Sequence, residues 1–111
     1  MYSFAAMDDR GRLGDRVALR SLGWIPGTCL ALDVRDGLVL VTADAEGSIA
    51  VTTHGHLRLP APVRHWCGLE PGARVLLVAD AVESRLVVYP PVALDAVIGR
   101  WQAEVFGGDC A

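Results

Sequence analysis

Between His54 and Cys67 the chain reads HGHLRLPAPVRHWC, placing three histidines, one cysteine and two arginines in a short span. Three kinds of chemistry use such residues. His54, His56, His65 and Cys67 are nitrogen and sulfur donors of the sort zinc accepts. Cys67 with His65 has the composition of a nucleophilic dyad, but side chains two apart on a helix do not face each other. Arg58 and Arg64, with the histidines, could instead recognise an anion, since arginine offers planar, bidentate donors suited to phosphate and to guanine edges. The chain has no glycine-rich phosphate loop, no Gly-x-Ser-x-Gly elbow, and no carboxylate pair in an apolar segment beside a histidine. No enzymatic activity and no cofactor are expected.

Self-similarity decides among these readings. The stretch RGRLGDRVALR, from Arg10, is answered by HGHLRLPAPVR, from His54. Gly11 corresponds to Gly55, Leu13 to Leu57 and Arg20 to Arg64, each 44 positions later; after one inserted residue Gly23, Pro26 and Gly27 correspond to Gly68, Pro71 and Gly72 at 45. The histidines therefore occupy the places of Arg10, Arg12 and Ser21, as expected of variants at a polar surface rather than of metal ligands. Cys67 stands where the first copy has Leu22 and reads as a small buried apolar residue. No metal site is expected.

The elements that must position these residues follow from local patterning. YSFAAM and SIAVTT are short apolar runs that enter reversals at Gly11 and Gly55, as strands do. RVALRSLG and PAPVRHWCG read as short helices closed by glycine, the second opened by proline. After each Pro-Gly turn, TCLALDV with LVLVTA, and ARVLLVA with RLVVY, read as β-hairpins, joined by Arg35-Asp36-Gly37 and by residues 80–84. Each unit is a strand, a turn, a short strand, a short helix and a hairpin. A unit this small exposes its apolar strand face unless a second unit covers it. Beyond the last strand, Leu94, Val97, Ile98, Trp101 and Val105 recur at helical spacing on one face. That stripe either caps the body or forms an oligomer or partner interface.

The chain has 111 residues, 52% hydrophobic and 21% charged, enough apolar material for one cooperative unit and too little length for two independent cores. The expected organisation is one domain over residues 1–91, made of repeats 1–45 and 46–91, a helix over 92–106 and a flexible tail over 107–111. No apolar run is long enough to span a bilayer and the first residues lack the pattern of a secretory leader, so a cytoplasmic location is expected. Three widely spaced cysteines, Cys29, Cys67 and Cys110, argue for reduced thiols. The net charge is −3, yet Arg10 to Arg20 holds four arginines against one aspartate, and no acidic residue lies between Glu46 and Glu70. Two basic segments sit in an acidic protein.

The unit resembles the AbrB/SpoVT/MazE family of swapped-hairpin DNA-binding domains. The residues that carry the resemblance are Asp8, Gly11-Arg12-Leu13, Leu19-Arg20, Leu22-Gly23 and Pro26-Gly27 in the first copy. In the second they are Gly55-His56-Leu57, Leu59-Pro60, Val63-Arg64, Gly68-Leu69 and Pro71-Gly72. The tandem arrangement is similar to MraZ-type proteins, in which one chain supplies both halves. The resemblance implies a mainly β fold with short helices: a pseudo-two-fold, interlocked β-barrel built from both repeats, followed by the C-terminal α-helix. It implies a nucleoid-associated transcriptional regulator binding double-stranded DNA through the glycine turns and short helices. The positions concerned are Arg10, Arg12, Arg16 and Arg20 in one half, and His54, His56, Arg58, Arg64 and His65 in the other, with Arg12, His56 and Arg64 leading. An ion pair of Arg20 with Asp8 or Asp9 is the structural alternative at that position. The second copy departs from the motif at Thr52 and His56, and the first at Gly14-Asp15-Arg16, which opens a difference between the halves. Histidines facing phosphate would raise affinity as pH falls from about 8 to 6. An antitoxin that docks a toxin through its C-terminal helix, and a protein-interaction module without DNA binding, are the alternatives.

Overall fold

The computed structural model describes residues 1–107; of the tail expected over 107–111, residues 108–111, Cys110 among them, lie outside the described residues. Its elements are β1 (Tyr2–Ala6), α1 (Val17–Ser21), β2 (Cys29–Arg35), β3 (Leu38–Ala43), β4 (Ile49–Ala50), α2 (Ala61–Trp66), β5 (Arg74–Asp80), β6 (Arg85–Tyr89) and α3 (Pro91–Val105). The fold is mainly β, a six-stranded antiparallel sheet curled into a half-barrel, with the helix α3 at its end.

Strand order is β1-β5-β6-β3-β2-β4. Exchanging the repeats turns β1, β2 and β3 into β4, β5 and β6, and the order then reads the same from the other edge. The first strand of each repeat pairs with the hairpin of the other: Phe4 opposes Leu76, and Ile49 opposes Leu30. The two hairpins meet where β3 pairs with β6, Val41 opposite Leu86. At the centre, the short strands after the glycine turns cross: Leu13 N–H donates to Leu57 O and Leu59 N–H to Gly11 O, both at 2.9 Å.

The pairing of β1 with β5 and of β4 with β2 lets each unit cover the other. Leu13, Leu30, Leu59, Val75 and Val88 are fully buried, and each such side chain contributes about 1.5–3 kcal/mol by leaving water. Along β5 burial alternates, with Val75, Leu77 and Ala79 inside, the period-two signature of a sheet with one core face.

Five sequence expectations meet the structure with unequal outcomes. SIAVTT gives only the two-residue β4, because its link from β3 must wrap around the end of β2. The last helix begins one residue earlier than expected, at Pro91, where proline fits the first helical turn. No residue of α3 is buried, so its stripe does not cap the body: Leu94 is half-buried, while Val97, Ile98, Trp101 and Val105 are exposed. Among the described residues no helix is long and apolar enough to cross a membrane. Finally, Asp8 is paired by Arg12 and not by Arg20.

Candidate nucleic-acid interface

The turn after β1 is organised by one carboxylate. Asp8 Oδ1 accepts the backbone N–H groups of Arg10 and Arg12 at 2.8 and 2.9 Å, and Asp8 Oδ2 accepts Arg12 Nε–H at 2.6 Å. The counterpart turn is built the same way with a neutral side chain, Thr52 Oγ1 accepting His56 N–H at 2.9 Å. Thus the Asp-x-x-x-Arg spacing closes a turn and aims a guanidinium whose outer nitrogens stay available.

The hydrogen bond from the Arg12 backbone, with those from its side chain and from the Arg10 backbone, outweighs desolvation and holds Asp8 at about 2, below its usual 3.8. A carboxyl group whose pKa is lower in the folded chain stabilises the fold above its unfolded value and loses that contribution as pH falls through the folded value. Melting temperature should therefore decline between about pH 5 and pH 2, and Asp8→Asn should flatten that decline while lowering stability at pH 7. Thermal unfolding across pH checks both.

Each glycine turn is also held by arginines of the opposite repeat. Arg58 Nε–H donates to Arg10 O at 2.9 Å, and Arg16 Nη1 approaches His54 O at 3.5 Å. Gly11 has φ +81°, and a Cβ there would stand 2.7 Å from Arg64 Nε, so Arg64 lies flat on the glycine of the other half. On the other turn the near neighbour of Gly55 is Arg16, whose Cδ would lie 3.5 Å from an added Cβ, a looser contact.

Three clefts run together over this surface. The first is lined by Arg58, Pro60, Arg64 and Thr52, the next by Arg10, Arg12, Arg58, Thr52 and His54, and the last by Arg16, Arg20, Thr53, His54 and Ile25. Neighbours share Thr52 and Arg58, then Thr53 and His54, so the surface is continuous across both repeats. Six arginines line it and no acidic residue does, on a chain of net charge −3.

Seven of the nine residues expected from sequence thus meet on one face. The other two do not line it. His65 is exposed on α2, away from the clefts, because a residue one step from Arg64 on a helix points elsewhere. His56 is half-buried, and its Nδ1 is buried without a partner. Desolvation first, then the charges of Arg16 and Arg12, push the His56 pKa below its usual 6.5. It therefore stays neutral through most of the range from pH 8 to 6 and adds little charge there. A proton NMR titration should place the His56 midpoint below 6.5.

Sequence reasoning marked Thr52 only as a departure from the motif and did not single out Thr53. Their signal was in the repeat: they replace Asp8 and Asp9, removing two negative charges from the middle of the face. Burial pushes the Cys67 thiol up, consistent with an apolar role. Among the described residues no three histidine, cysteine, aspartate or glutamate side chains gather as a metal site would require. No protein-family model matches the chain, and neither a curated protein nor a solved structure matches it.

Proposed function

We propose that the chain is a DNA-binding transcriptional regulator of the AbrB/SpoVT type, in the tandem, MraZ-like arrangement, and that its two repeats form the interlocked swapped-hairpin barrel of that family. The pairing of β1 with β5 and of β4 with β2 supports the interlocking. The observation that carries the function is the acid-free face with six arginines spanning both repeats. A rigid pseudo-two-fold body presenting arginines at fixed separation matches the needs of a duplex, whose phosphates recur regularly and whose groove edges arginine can read. The test is fluorescence anisotropy of the purified chain on the duplex upstream of its own coding sequence, beside Arg10→Ala/Arg58→Ala. Binding that weakens in the variant supports the reading; no binding at low salt refutes it.

The bare stripe on α3 favours a second role in self-association. Leu94, Ile98, Trp101 and Val105 alternate steps of four and three, the spacing of a coiled-coil seam. On this reading two copies join through α3. Sedimentation should give twice the chain mass, and Ile98→Glu/Trp101→Glu should return the single-chain mass with the melting temperature of the body unchanged.

A further inference from the structure

The two halves of the basic face are related by the repeat but are chemically unequal. In the first half the cleft between α1 and the Gly55 turn is lined by Arg16, Arg20, Trp24, Ile25, Thr53 and His54. It contains no carboxylate. Trp24 is buried and forms an apolar floor, while Ile25 is 69% exposed at the rim. Asp15, the nearest acid in sequence, is engaged elsewhere: its carboxylate accepts Ser3 Oγ–H and the Val17 N–H.

The repeat maps this cleft onto Pro60, Arg64, Leu69, Glu70, Asp9 and Arg10 in the other half. There two acids, Glu70 and Asp9, stand at the sequence positions that match Ile25 and Thr53, although neither lines the clefts formed by Arg64 and Arg10. Moreover Arg64 lies against Gly11, and its Nε is buried without a partner. Its counterpart Arg20 is exposed and makes no such contact with Gly55, whose near neighbour is Arg16. One half keeps an open, positively charged, apolar-floored cleft; the other has its arginine laid down on the opposing turn.

We infer that DNA engagement is asymmetric, with the cleft between α1 and the Gly55 turn as the principal phosphodiester site and the α2 half serving mainly to brace the Gly11 turn. This inference rests on the DNA-binding reading. In the open cleft Arg16 and Arg20 take the phosphate oxygens, and Ile25 with Pro26 packs against the adjoining deoxyribose or a thymine methyl. A phosphate placed in the α2 half where the repeat maps Ile25 and Thr53 would face Glu70 and Asp9, whose like charge opposes it.

A charge-conserving exchange tests this. In Ile25→Glu/Glu70→Ile the net charge is unchanged, so long-range attraction to DNA is preserved and only the local distribution moves. Both positions are exposed, and equal melting temperatures would confirm an intact fold. With the upstream duplex as probe, the exchange should weaken binding about tenfold or more, as should Arg20→Ala, whereas Glu70→Ile alone should not weaken it. A photo-cross-linking residue at position 25 should capture DNA and one at position 70 should not. If the wild type binds but the exchange leaves affinity equal or higher, or if position 70 cross-links as well as position 25, the asymmetry is overturned and DNA binding stands. If the wild type does not bind, both readings fall.

Discussion

Gly47→Ala is expected to cost the fold about 3–5 kcal/mol, in the range reserved for buried steric conflicts, and to lower the melting temperature by roughly 15 °C or more. A Cβ built on Gly47 would stand 2.2 Å from Leu30 O and 2.9 Å from Ala31 N. Both are backbone atoms of β2, a strand paired on both sides, and cannot swing aside as a side chain would. Leu30 is fully buried and pairs with Ala43 of β3 on one side and Ile49 of β4 on the other. The link from β3 to β4 therefore wraps around Leu30, and Gly47 is where it passes over the carbonyl. Displacing it would pull β4 off β2 and loosen the Thr52 turn that β4 leads into. Circular dichroism melting is the measurement, with Gly99→Ala as the control. Nothing lies within 4 Å of a Cβ at Gly99, in α3, so that change should raise helix stability by about 0.5–1 kcal/mol. Comparable melting of the two variants would show that the tight crossing is not what holds β4 in place.

The largest functional effect should come from salt. Release of counterions makes log affinity fall against log salt with a slope of about −0.9 per phosphate neutralised. If five of the six arginines on the face meet phosphates, raising salt from about 50 to 200 mM should weaken binding roughly 500-fold. Arg10→Ala/Arg58→Ala should reduce the steepness by about two units, since each lost contact removes nearly one. Both side chains are exposed, though Arg58 also bonds the Arg10 carbonyl, so thermal melting of the variant should accompany the titration. Anisotropy across a salt series reads the slope directly. A flat profile would mean that the arginine face does not meet a polyanion, whatever the affinity at a single salt concentration.

Much of the secondary structure was legible because its causes are local. The hairpin β2–β3 is announced by two apolar runs around Arg35-Asp36-Gly37, and Asp36 and Gly37 both take positive φ, the geometry its right-handed twist favours. The helices α1 and α2 start and stop within a residue or two of their sequence signals, at Gly23 and Gly68. The arginine face was legible too, through the alignment of the repeats. That His56 turns inward and His65 lies off the clefts was not legible, because the repeat gives the position of a residue along its turn or helix but not the direction and depth of its side chain.

Residue types alone, then, determined the internal repeat, the hairpins, the short helices, the concentration of arginine in two segments and the neutralisation of one turn by Thr52 and Thr53. These depend on chemistry within a few residues along the chain. Tertiary structure alone decided that β1 lies on β5 and that the link at Gly47 must cross Leu30. It also decided that Asp8 is spent on Arg12, that Arg64 is laid on Gly11, and that α3 stands with its apolar stripe bare. Each of these depends on distances between residues far apart in sequence, where packing and backbone pairing choose among partners that local propensity leaves equivalent.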